Sequence, residues 1–159
     1  MANEPQGTAT PTVDYTPAAG ELLIEFCRPL WGFADHKHFG LRPAARDGVW
    51  WLQSTDTGGP TFVLADPFVV DQAYVVDLGE KERATLAIAA PDEALTLVML
   101  ALPVGKGGVV TGNFRAPLVI NIRTHTALQV VSRDDSHEMQ RAVNLAKYPL
   151  CDDGTAPTD

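Results

Sequence analysis

The chain reads as mainly β: a single small antiparallel β-barrel-like domain with one or two short helices. Three observations predict this. Apolar residues are 45% of 159, enough for one core and one domain. Most of them fall in short strand-like runs, and aromatic residues are few. Thirteen glycines and twelve prolines punctuate those runs, which suits a turn-rich sheet better than a helical bundle.

Residues 1–20 are rich in Pro, Thr, Ala and Gly without periodicity and read as a disordered leader. Glu21 to Phe26 alternates loosely and reads as the first strand. Pro29 and Gly32 break the chain, and Phe33 to His38 is long enough for one helical turn. Phe39 to Arg42 is a short strand, closed by Pro43 and the polar turn Arg46-Asp47-Gly48.

Val49 to Ser54 and Thr61 to Ala65 read as a hairpin, because the loop between them is dense in turn residues. Pro67 lacks an N–H and should end the second strand. Ala73 to Leu78 is a further strand candidate. Glu80 to Leu86 combines good helix formers with acids at its start, the pattern of a short helix.

Leu95 to Leu102 is nearly all apolar, and Pro103 and the glycines at 105, 107 and 108 bound it tightly. That predicts a strand buried on both faces. Leu118 to Ile122 and Leu128 to Ser132 predict a second hairpin with Thr124-His125-Thr126 in its turn. Residues 135–147 have helical spacing, with Ser136 as the cap. The domain is thus expected over 21–148, with an acidic tail over 149–159.

The formal net charge is −8, which argues against direct nucleic-acid binding, since phosphate contacts need clustered Lys and Arg. The acids Glu4, Asp14, Asp152, Asp153 and Asp159 lie in the expected tails, where there is no base. One stretch of the domain is also lopsided. Between Arg46 and Lys81 there is no Lys or Arg, yet Asp47, Asp56, Asp66, Asp71, Asp77 and Glu80 all occur there.

Cys27 and Cys151 are too far apart in sequence to suggest a disulfide framework. No signal-peptide pattern opens the chain, and the apolar run Leu95 to Val104 is about half of what spans a bilayer. The expectation is a soluble, reduced, cytoplasmic protein without a membrane partner.

Catalytic and cofactor patterns are weak. His36 and His38 would share a face of a strand and suggest a metal-binding module, but no glutamate follows at positions 41–43. Cys27 sits among Ile24, Phe26 and Leu30, the setting of an inert thiol. Ser54 lacks a Gly-x-Ser-x-Gly context. The glycine-rich stretch 105–112 lacks the spacing of a phosphate loop, though a flavin-type barrel enzyme would use it. Asp134-Asp135 reads as a solvated turn. A domain of this size without a convergent set is expected to be a binding module, not an enzyme, and to carry no cofactor.

Three ordered signatures carry a family resemblance. The first is Gly32-Phe33 with Asp35. The second is Trp51-Leu52-Gln53-Ser54, Asp56 and Asp66-Pro67. The third is Asn113, Ala116-Pro117, Ile120-Asn121, Thr124 and Gln129. Together, over residues 21–135, they resemble the FliW family of flagellar assembly factors. The order Pro29-Leu30-Trp31 before the first signature, and Ala127 where that family often has Gly, depart from its pattern.

The resemblance implies a small β-barrel without catalysis. It implies two partners: the RNA-binding translational repressor CsrA, kept off flagellin mRNA, and flagellin itself. A basic repressor surface would be opposed by the base-free stretch, through Asp56, Asp71, Asp77 and Glu80. Gln53, near a turn, and Phe68, beyond a strand end, are the expected direct contacts. Asn113 and Asn121, beside strand ends, are expected to bond backbone groups, and Trp50 and Trp51 to face opposite sides of their strand.

Overall fold

A computed structural model describes residues 21–56, 58–76, 78–103 and 107–150. Nine strands run through them: β1 (Leu22–Phe26), β2 (His38–Pro43), β3 (Val49–Ser54), β4 (Thr61–Ala65), β5 (Ala94–Ala101), β6 (Thr111–Gly112), β7 (Leu118–Asn121), β8 (Thr126–Gln129) and β9 (Arg141–Ala142). One α-helix, α1 (Glu80–Leu86), and 3-10 turns at Pro67–Val69, Pro91–Glu93 and Leu145–Lys147 complete the order.

The strands lie in the order β4-β3-β2-β1-β8-β7-β5-β6-β9, and β4 also pairs with β5. That last pairing closes β1, β2, β3, β4, β5, β7 and β8 into a seven-stranded barrel. Closure removes most of the free sheet edge an open sheet would expose. The expected antiparallel barrel is found with one exception: β1 runs parallel to β8.

Alternation along the strands fills the interior. Ile24, Phe26, Phe39, Leu41, Leu52, Leu64, Leu97, Leu118 and Ile120 form one buried cluster. Phe26 and Phe39 meet edge to face with centroids 5.3 Å apart, the arrangement aromatic pairs prefer. Trp50 packs on this cluster while Trp51 is 36% exposed, as an extended strand requires.

Two further clusters cover the outside. Val49, Ala65, Tyr74, Val98, Phe114, Val143 and Tyr148 form one, and Leu86, Val119, Leu128 and Val130 form the other beneath α1. Leu97 therefore faces the barrel and Val98 the outer layer, which is why β5 reads as apolar on both faces. Each such fully buried aliphatic side chain contributes roughly 1.5–3 kcal/mol.

Both members of the first hairpin, together with α1, form over the residues expected. Elsewhere the chain departs from its local pattern. The described residues of the stretch 73–78 form no strand. Asp71 closes a turn, its carboxylate accepting from Ala73 N–H and its carbonyl from Tyr74 N–H. Tyr74 is then buried against the barrel, so its neighbours pack as a layer and do not pair.

Residues 135–147 are not a helix. Arg141–Ala142 is β9, paired with β6, and Leu145–Lys147 is a 3-10 turn capped by the Asn144 carboxamide. Ser136 caps no helix, since its N–H and hydroxyl both donate to the Asp134 carboxylate. The helical spacing does not reflect a buried stripe: Met139 is 65% exposed and Val143 alone of that set is buried.

The second hairpin is shorter than expected, and its turn begins earlier. Asn121 gathers Arg123, Thr124 and His125 into the turn, so Thr126 already belongs to β8. Phe33 to His38 makes a bonded turn (His36 N–H to the Phe33 carbonyl) and no helix, and His38 opens β2. Pro149 and Leu150 remain tied to Asp47 and Arg46. The leader at 1–20 and residues 151–159 lie outside the described residues, as do Cys151, Gly105 and Lys106.

Candidate binding groove

An open groove of about 710 Å3 lies on the outside of the barrel. Asp66 and Phe68 at the corner, Tyr74, Val75, Val76 and Leu78, the stretch 88–91 and β5 from Ala94 to Thr96 form its walls. At its rim Phe68 is 42% and Val75 67% exposed.

Local chemistry builds each wall. Asp66 ends β4, and its Oδ1 accepts from Phe68 N–H at 2.9 Å, so the chain turns at Pro67. The Phe68 ring meets Tyr74 edge-on, with centroids 6.0 Å apart. The Tyr74 hydroxyl donates to the Phe114 carbonyl at 2.6 Å, and burial pushes its pKa well above the ordinary tyrosine value. Tyr148 does the same at the corner, donating to the Asp66 carbonyl at 2.6 Å. Burial first, then the Asp66 charge, pushes its pKa up to about 12.

The far wall follows α1. Ala87 leaves the helix in the left-handed region, at φ 55°. Asn121 holds that exit: its Nδ2 donates to the Leu86 and Ala87 carbonyls at 2.7 and 3.3 Å. Its Oδ1 accepts from Arg123 and Thr124 N–H at 2.8 and 3.2 Å. Glu93 accepts from Ala89 N–H at 2.9 Å, and this bond, with Arg123 beside it, holds its carboxyl below the usual range.

The residues singled out from sequence do not all meet here. Phe68 lines the groove. Glu80 opens α1 and is exposed. Asp71 lies just past the corner but is engaged: Arg141 Nη1 stands 3.1 Å from its Oδ2, and that bond, then Ala73 N–H, lowers its pKa. Gln53 and Asp56 sit at the opposite end of the β3–β4 hairpin, Gln53 within the sheet and Asp56 in the loop beyond. Asp77 lies outside the described residues. The stretch without Lys or Arg therefore does not lack cationic neighbours in space, because Arg141 answers Asp71. Tyr74, Ile88 and Thr96 were missed. The available signal was the Asp66-Pro67 stop, which ends β4 while the apolar run of β5 continues.

Two clusters superficially suggest hydrolytic chemistry. The Ser54 Oγ and the Asp56 Oδ2 lie 3.2 and 3.0 Å from the same His36 Nδ1. A proton relay needs base and orienter on different ring nitrogens, so this is a loop clasp. Ser132, Asp134 and His137 differ: the serine Oγ lies 2.6 Å from His137 Nδ1, while Asp134 Oδ2 stands 3.6 Å from Nε2, too far for a hydrogen bond. In both clusters the serine Oγ also accepts from the aspartate N–H two residues on. Ser132 is buried and His137 nearly so, which withholds both from a substrate.

His36 and His38 face different carboxylates, Asp56 at 3.0 Å and Glu25 at 3.9 Å. Among the described residues no three His, Cys, Asp or Glu side chains are grouped to hold a metal. No helix among them is long and apolar enough to cross a membrane. Cys27 is half-buried, with its Sγ 3.8 Å from the Thr85 carbonyl.

Fold and groove together define a class: a small closed β-barrel with an open, largely apolar groove on its outside. Likeness to known proteins narrows this further. The family model described as FliW protein matches residues 8–143, and the chain belongs to the FliW family. The flagellar assembly factor FliW of Leptospira interrogans is 30% identical over 122 residues, covering 76% of this chain and 81% of that protein. The Desulfovibrio desulfuricans protein of the same name is 36% identical over 120 residues, covering 72% and 71%. A crystal structure of the flagellar assembly factor FliW superposes with a TM-score of 0.67 at 26% identity, covering 76% of this chain and 84% of that one.

Proposed function

We propose that this protein is a non-catalytic regulator in flagellar assembly that acts by binding other proteins in the cytoplasm. Its partners are a CsrA-type RNA-binding repressor and flagellin. Flagellin that accumulates captures the protein and frees the repressor, and flagellin export reverses this. The two partners compete for one protein, so their concentrations and affinities set the balance.

The observation that carries this reading is the apolar groove, with Phe68 and Val75 at its rim, on a barrel of the FliW family. Exposed apolar surface of this kind marks interaction sites. The net charge of −8 suits a basic, RNA-binding partner. Asp56 and Glu80 contribute to that field, together with Asp77; Asp71 contributes less because Arg141 neutralises it. No observation among the described residues favours the flavin-type enzyme or the His36/His38 metal module.

The test is to mix the purified protein with the repressor and, separately, with flagellin from the same organism. Size-exclusion chromatography should show a stable complex with each. Absence of both complexes overturns the reading.

A further inference from the structure

β5 is one of the longest strands described, and its two flanks are not equally paired. The N–H of Ile122 donates to the Glu93 carbonyl, and that of Asn113 to the Met99 carbonyl, each at 3.0 Å. In a strand, the N–H and C=O of one residue point the same way, and successive residues alternate. Leu95 and Leu97 therefore face β7, while Ala94, Thr96, Val98 and Leu100 face β4.

On that second flank β4 serves only part of β5. Ala65 lies opposite Val98, and Val63 opposite Leu100. Continued two residues further, that register would set Pro67 opposite Thr96, but Pro67 opens a 3-10 turn. It has no N–H to give, and its carbonyl already accepts from Val70 and Asp71 N–H. The Ala94 N–H turns back to the Pro91 carbonyl. Among the described residues, the Thr96 N–H and carbonyl and the Ala94 carbonyl thus have no main-chain partner on this flank. Ala94 and Thr96 line the apolar groove together with Phe68, Ile88 and Pro91.

Unpaired backbone beside an apolar trough is the receptor half of a β-strand addition site. We propose that the groove takes an extended segment of a protein partner. That segment bonds the main chain of Thr96 and Ala94 and places alternate apolar side chains against Phe68, Val75 and Ile88. It carries Lys or Arg at its flanks. Asp66 lines the groove, while Asp92 and Glu80 stand exposed beside its lining residues Pro91 and Leu78; the one lining base, Arg83, already donates to the Leu78 carbonyl at 3.2 Å. This inference rests on the proposed function, and it names the seat and the backbone mode of that binding.

The test reads amide exchange at Thr96 in the labelled full chain, alone and with the purified CsrA-type repressor or flagellin. In the free protein Thr96 should exchange quickly. In at least one complex it should slow by about tenfold or more. Thr96→Pro removes the outward N–H without touching the ladder to β7, and it should weaken that complex about tenfold more than Thr96→Val, which keeps the N–H. Phe68→Ser, which touches no backbone, should weaken it as well. A complex with unchanged Thr96 exchange overturns this inference alone. No complex with either partner overturns it together with the functional reading. Protection that rises with protein concentration, without partner, assigns the edge to a second copy and also overturns it.

Discussion

The two flanks of β5 share one strand and differ in everything beside it. On one, β7 pairs with Ala94 to Leu97, Asn113 bonds Met99, and β6 pairs with Leu100 and Ala101. On the other, β4 stops at Ala65, and Thr96 faces a groove. β5 itself is apolar except at Thr96 and carries no backbone signal to treat its flanks differently. The instruction lies in short polar residues and prolines elsewhere. Asn121 and Asn113 complete turns that keep the chain against the first flank, and Asp66-Pro67 turns it away from the second. Closing a barrel and leaving part of it open for a partner are decided by the same kind of residue.

The largest test of the contrast is to break the sealed flank. Asn121→Leu removes four bonds to backbone at a fully buried site and takes the side-chain partner from the Leu86 carbonyl and from the Arg123 and Thr124 N–H, while the Ala87 carbonyl keeps only Arg123 Nη2. It should cost about 3 kcal/mol in urea unfolding, in line with loss of a buried hydrogen-bond network. Next is the link between the flanks. Tyr74→Phe deletes the bond to the Phe114 carbonyl and should cost about 1–2 kcal/mol, again by urea unfolding.

The corner of the open flank gives a test by pH. The fold raises the Tyr148 pKa from 10 to about 12, so it favours the protonated phenol. That contribution is fully present below about pH 10 and is lost as pH rises toward 12. Thermal unfolding across this range should show the loss, and Tyr148→Phe should flatten that part of the slope.

Substitutions on the open flank should change stability least. Phe68→Ser should shift the unfolding midpoint by less than about 0.5 kcal/mol while reducing partner binding. Asp71→Asn releases Arg141 from a partly exposed pair. Its midpoint should fall slightly at low salt and match the parent at high salt. A strongly destabilised Phe68→Ser would mean that the rim is part of the core.

Much of the barrel was legible because local signals agreed with it. The Val49–Ser54 and Thr61–Ala65 strands and the Glu80–Leu86 helix are bounded by turn residues or opened by acids, and they form where their patterns place them. The helical spacing after Ser136 misled because β6, far away in sequence, offered Arg141–Ala142 a ladder partner. Ala73 to Leu78 misled because Tyr74 found its partner in Phe114. Of the candidate contacts, Phe68 stood out as an aromatic beyond a strand end and does line the groove. Gln53 and Asp56 are carried to the other end of their hairpin, which no linear reading of charge reveals.

Composition, turn residues and the order of short motifs were enough by themselves to specify a small β-barrel of the FliW family. Those features act locally, through backbone conformation and the alternation of side chains. Which acids remain free, which strand edge stays unpaired, and where apolar surface gathers were decided only in three dimensions. Each depends on residues distant in sequence, Arg141 beside Asp71 and Ala65 opposite Val98, that meet only when the barrel closes.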